Sequence, residues 1–173
     1  MNDFSAAEQI DPRSPAVYVD PLIELVKGGD LPRATAVYGR AMERPDVPED
    51  LKLYLSLWVR DLAARTHAAP VDRAEAFVRE YRGDRWTTAL AAHARGELPY
   101  DELLAKASNK GEQVEAHFYE AMARWRQGDL AGARALLDAV LASGMMSFFE
   151  YELAHGFVQR GPLAHPPGKL AGG

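Results

Sequence analysis

Apolar residues recur at intervals of three and four through the stretch from Val114 to Leu141, VEAHFYEAMARWRQGDLAGARALLDAVL, and divide it into two amphipathic helices. Val114, Phe118, Ala121, Met122 and Trp125 fall on one stripe of the first helix, and Leu130, Ala133, Leu137, Val140 and Leu141 on one stripe of the second. Between them Gln127-Gly128-Asp129 breaks the period. Gly128 supplies the left-handed residue that closes a helix, and Asp129 a side chain that caps the next. So short a connection makes the two helices antiparallel neighbours.

The same pattern recurs, less regularly, on either side. From Pro15 to Pro45 it predicts a hairpin with Gly28-Gly29-Asp30 as the turn and Ala34, Tyr38 and Ala41 on the second helix. Pro21 is expected at the first position of a helix beginning at Asp20, because an interior proline removes a backbone hydrogen bond. Pro48-Glu49-Asp50 opens the next helix, with Leu51, Tyr54, Leu55, Trp58 and Leu62 on one stripe and Leu53 and Leu57 on its flank. An apolar surface that wide packs on more than one neighbour. A helix from near Val71 turns Ala74, Phe77, Val78 and Tyr81 inward.

After Arg82-Gly83-Asp84, a helix carries Trp86, Ala89, Leu90 and His93 and turns at Gly96-Glu97 into a short helix holding Leu103 and Leu104. Ser147 and Glu150 have the spacing of a capping box at the head of a last helix, which runs to about Gln159. Its Phe149, Leu153 and Phe157 are placed to cover the end of a stack.

The hairpin 114–141 resembles a tetratricopeptide repeat (TPR), a helix-turn-helix unit of roughly 34 residues. Ala121 and Ala133 match the family's two small packing positions, Gly128-Asp129 its turn, and Leu137 and Val140 its later apolar positions. His117 stands where the family usually has Trp, with Phe118 and Tyr119 after it. From this hairpin through FFEYELA the chain resembles bacterial TPR proteins, among them envelope lipoproteins that act as adaptors. The resemblance implies an all-α right-handed solenoid of about four TPR-like helical hairpins with a C-terminal capping helix. The expected organisation is a flexible arm over residues 1–13, a helical-repeat domain over 14–160 and a disordered tail over 161–173.

Composition narrows the chemistry. With 173 residues and 47% hydrophobic positions the chain can bury a core, and no disulfide, thiolate metal site or thiol nucleophile is open to it, since it has no cysteine. Its 20 Lys plus Arg against 25 Asp plus Glu leave a net charge of -5, which opposes general affinity for nucleic acid or anionic lipid. The start MNDFSAAEQIDPRSP has no basic, apolar leader, and no apolar run reaches membrane-spanning length, so a cytoplasmic location is expected. Five histidines are scattered, none paired at three or four residues, so no metal or cofactor is expected. Nor is there a Gly-rich phosphate loop or a nucleophile elbow, and no catalytic residue is assigned.

The expected function is noncatalytic docking of another protein or peptide segment in the concave groove that a TPR array implies. The groove candidates are Glu115, Phe118, Met122, Trp125 and Arg126 in the clearest repeat, and Val19, Ile23, Val26 and Lys27 in the first. The alternative is that the apolar ones simply pack on neighbouring helices. A second copy of the chain, held through Phe148 and Tyr151 of the last helix, is the other partner considered. The segment from Arg79 to Trp86 mixes arginines with aromatics, but an inter-helix corner explains it without a nucleic acid.

Overall fold

The computed structural model describes residues 16–160 and Leu163, and all nine regular elements among them are helices. They are α1 (Ala16–Gly28), α2 (Leu31–Glu43), α3 (Glu49–Arg65), α4 (Asp72–Glu80), α5 (Arg85–Ala94), α6 (Tyr100–Lys106), α7 (Lys110–Arg126), α8 (Leu130–Ala142) and α9 (Phe149–Gln159). The all-α expectation therefore holds for these residues, and none of the helices is long and apolar enough to cross a membrane. The expected arm 1–13 and tail 161–173 lie outside the described residues, Leu163 excepted. The contacts group the chain into two compact units, Met1–Tyr81 and Arg82–Gly173, where the sequence pattern alone drew one domain.

The turns form as their residues dictate. Gly29, Gly96, Gly128 and Gly144 all take positive φ, and behind three of them a backbone bond closes the helix end: Asp30 N–H to Leu25, Glu97 N–H to Ala92 and Asp129 N–H to Arg124. Asp30 and Asp129 then cap the following helices, accepting from Arg33 N–H at 3.2 Å and Gly132 N–H at 2.8 Å. Asp84 does the same for α5 through Thr87 N–H at 2.7 Å, which gives the Arg82-Gly83-Asp84 sequence a structural use.

In the first unit α1 packs on α2 and α3, α2 on α3, and α3 on α4. Leu53, Leu55, Leu57, Trp58, Val59 and Leu62 of α3 are all buried, so the wide apolar surface is met by several neighbours. Pro21 lies inside α1 and not at its first position. The helix extends ahead of it because Val17, Tyr18 and Val19 are buried; each apolar side chain contributes about 1.5–3 kcal/mol, which together outweighs the roughly 3 kcal/mol of an interior proline. Val19, Ile23 and Val26 are core residues too, and only Lys27 of the first repeat's groove candidates is partly exposed.

The second unit is organised around α7, which touches α5, α6, α8 and α9. Trp86, Leu90, Leu103, Val114, Phe118, Met122, Leu137, Leu153 and Phe157 form its interior. Ala116, Ala121 and Ala133 are completely buried, the small side chains letting helix backbones approach.

Candidate functional site

Of the five residues singled out on α7, two face the core. Phe118 is 1% exposed and Met122 2%. Phe157 of α9 stacks on Phe118 at 6.3 Å between centroids, and meets half-buried Trp125 edge-on at 5.5 Å. As anchors for a partner Phe118 and Met122 are therefore corrected: both lie inside the helical packing, Phe118 against Phe157 of α9, and burial there already satisfies the stripe. Glu115 is half-buried and accepts from Trp86 Nε1 of α5 at 2.7 Å, while Arg126 is exposed.

The polar arrangement at this place was not legible as such in the sequence. On α9, Glu150 is 2% exposed and accepts from the Tyr119 hydroxyl at 3.1 Å. Trp86, Glu115, Tyr119 and Glu150 thus place hydrogen bonds between α5 and α7 and between α7 and α9. Burial pushes the Glu150 carboxyl up to about 8, and the negative charge of Glu115 adds to the rise; bonds from its own backbone N–H and from Tyr119 oppose it. At neutral pH Glu150 is therefore an uncharged acid inside the protein.

The expected capping box does not form, and α9 has no side-chain cap. Glu150 shares a spacing of three, four and seven with Leu153, Ala154 and Phe157, all buried, and the stripe carries it inward. That spacing was the available signal. Phe149, expected to cover the end of the stack, lies off this stripe and is 40% exposed. Phe148, expected on the surface, is half-buried, with its ring where a Cβ on Gly111 would stand.

A second polar cluster forms further along α7. His93 Nδ1 lies 2.9 Å from the Leu98 carbonyl, which can only accept, so Nδ1 carries a proton. Its Nε2 is buried 3.4 Å from Glu120 Oε2, without hydrogen-bond geometry. Glu120 also accepts from Arg124 at 2.8 Å. Nearby, the Tyr100 hydroxyl meets His117 Nδ1 at 2.7 Å. Burial lowers the His117 pKa and raises that of Tyr100, so a neutral imidazole accepts from an intact phenol. The buried His93 ring sits between the Leu98 carbonyl and Glu120 and so joins α5 to α7. Among the described residues no group of three or more His, Asp or Glu is placed to hold a metal ion.

The arginine-aromatic segment is likewise taken up by packing. Tyr81 and Trp86 are buried, and Arg85 is bound to Glu112 at 2.9 Å and to the Lys106 carbonyl. Stacking on a nucleobase requires open ring faces, which neither aromatic offers. The chain matches no family model, no curated protein and no solved structure.

Proposed function

We infer that the chain is a noncatalytic protein-protein interaction module built from TPR-like hairpins, and that it docks another protein or peptide segment. The observation that carries the reading is the packing order of the second unit. There α7 touches both α5 and α9, while α6 and α8 lie between them in the chain, as alternating helices of stacked hairpins do. Left-handed Gly128 followed by capping Asp129 supports it, as does the all-helical character of the described residues. With Phe118 and Met122 beneath, Glu115, Trp125 and Arg126 are the members of the original set that a partner could touch. A cytoplasmic location and the lack of a cofactor belong to the same proposal.

The test is copurification from the native organism with wild type and Arg126→Glu side by side. A partner held by wild type and lost from a variant of unchanged helicity supports docking at this face; equal recovery of that partner from both removes Arg126 from the site.

A second reading, self-association through the α8–α9 region, is favoured by Met146, 76% exposed, standing close in sequence to exposed Phe149. Phe149→Asp should turn a dimer into a monomer by solution mass. A monomeric wild type ends that reading.

A further inference from the structure

We propose that Glu150 is a proton-dependent latch: protonated, it lets α9 lie buried against α7, and on ionising beside Glu115 inside the protein it loosens α9 and uncovers Phe118 and Trp125 of α7. The geometry is that of a clasp spanning three helices. Tyr119 on α7 grips Glu150 on α9 at 3.1 Å, and Glu115, one turn before Tyr119, is pinned by Trp86 of α5 at 2.7 Å. Pinning matters because Glu115 cannot swing away from Glu150 without giving up the indole bond. Burial of the Glu150 carboxyl, with the like charge of Glu115 adding to it, favours the protonated form, and a proton there is what lets the group stay inside.

The charge that bears on Glu150 is that of Glu115, and it is of like sign. No cation of the neighbouring elements figures among the charges that Glu150 feels; on α7 Arg124 is bound to Glu120 at 2.8 Å and Arg126 is exposed. On α7, Lys110 donates to the Ser143 carbonyl at 2.8 Å. On α8, Arg134 is held by Asp138 at 2.9 Å and by the Leu163 carbonyl at 2.7 Å, and neither Arg134 nor Asp138 figures among the charges that Glu150 feels. On α9 itself Glu152 and His155 are exposed, the latter beside Gln159 at 2.7 Å. A His155 effect would survive any change at Glu150.

What the latch covers is definite. Phe157, on the same stripe as Glu150, lies against Phe118 and Trp125, so loss of α9 exposes those rings. Release of α9 needs no partner, so the latch stands whether or not one docks there. Its sign follows from linkage: the docked state binds a proton that the released state gives up, so docking is fully favoured below the ordinary carboxyl range. It weakens as pH rises towards the folded-state value of about 8.

Two measurements on the full chain test it. In wild type, the Glu150 side-chain carboxyl carbon is followed by NMR through a pH titration; a midpoint well above the ordinary carboxyl range is expected. Hydrogen-exchange protection of α9 amides, corrected for the intrinsic pH dependence of exchange, is compared in wild type and Glu150→Gln. Wild-type protection should fall by up to about tenfold per pH unit across the window, while the variant stays flat. A Glu150 carbon that titrates in the ordinary carboxyl range overturns the latch, as does an equal slope in the folded variant. Should Glu150→Gln fail to fold, the wild-type titration and wild-type protection decide together, and protection independent of pH overturns the proposal.

Discussion

Each unit buries charge, and the two do so in opposite ways. In the first, Asp61 is buried on α3 one turn from Arg65, whose guanidinium donates to the Val26 carbonyl at 3.3 Å. Arg65 is only half-buried as a residue, but its Nε has no solvent contact. Burial pulls its pKa down to about 10 and Asp61 pulls it back up, so unlike charges support each other. In the second unit Glu150 is buried near a like charge, Glu115. A matched pair is insensitive to pH across the physiological range, whereas a pair of carboxyls holds only while one proton stays bound. The difference separates a structural tie from an arrangement whose strength depends on conditions.

The strongest way to break the second arrangement is to add charge to the same interior. Met122→Glu puts a third carboxyl on the buried side of α7 and should cost about 4 kcal/mol or more, a large share of a typical domain's stability, seen as a collapse of the urea midpoint. A surface anchor would tolerate that change. In the first unit, Asp61→Asn leaves the Arg65 charge without its carboxylate and should cost about 3 kcal/mol. The corresponding change in the second unit, Glu115→Gln, has the other sign. The amide oxygen of that variant still accepts from Trp86 Nε1, and removal of the charge lowers the cost of ionising Glu150. Chemical unfolding at alkaline pH should show a gain of about 1 kcal/mol that fades in acid, where Glu150 is protonated in either chain. A loss of stability from Glu115→Gln at alkaline pH would erase the contrast.

The periodicity made α7, α8 and their turn legible because Gly128 and Asp129 act within a few residues of themselves. It also placed the inward residues of α5, and on α3 it placed Leu53, Leu55, Leu57, Trp58 and Leu62, whereas Leu51 and Tyr54 of the expected stripe are only half-buried. Whether Phe118 and Met122 meet solvent or another helix could not be read there, since an apolar stripe looks the same in a groove and in a core. Glu150 was misassigned for a related reason. A Glu three residues after Ser147 fits a cap by local rules, but the stripe it shares with Leu153, Ala154 and Phe157 carries it inward, where Tyr119, 31 residues away, meets it. Pro21 failed as a helix start because the burial of Val17, Tyr18 and Val19 is a tertiary effect.

The smallest effect separates two helix ends, one in each unit. The end of α7 in the second unit closes behind left-handed Gly128, as α1 does behind Gly29 and α5 behind Gly96, whereas α3 in the first ends with His67 at φ 53. Ala68 N–H still reaches the Ala63 carbonyl at 2.9 Å, so the closing bond is made while a Cβ sits in a region that disfavours it by about 1–2 kcal/mol. His67 is exposed, so its side chain contributes little packing. Replacing it with glycine removes the strain but restores backbone freedom to the unfolded chain, which offsets part of the gain. His67→Gly should therefore stabilise the first unit by about 0.5–1 kcal/mol, and Gly128→Ala, which imports the same strain, should destabilise the second by about 1 kcal/mol. Thermal unfolding of both variants checks the pair. Shifts of the same sign would mean that the left-handed conformation is not what distinguishes these two helix ends.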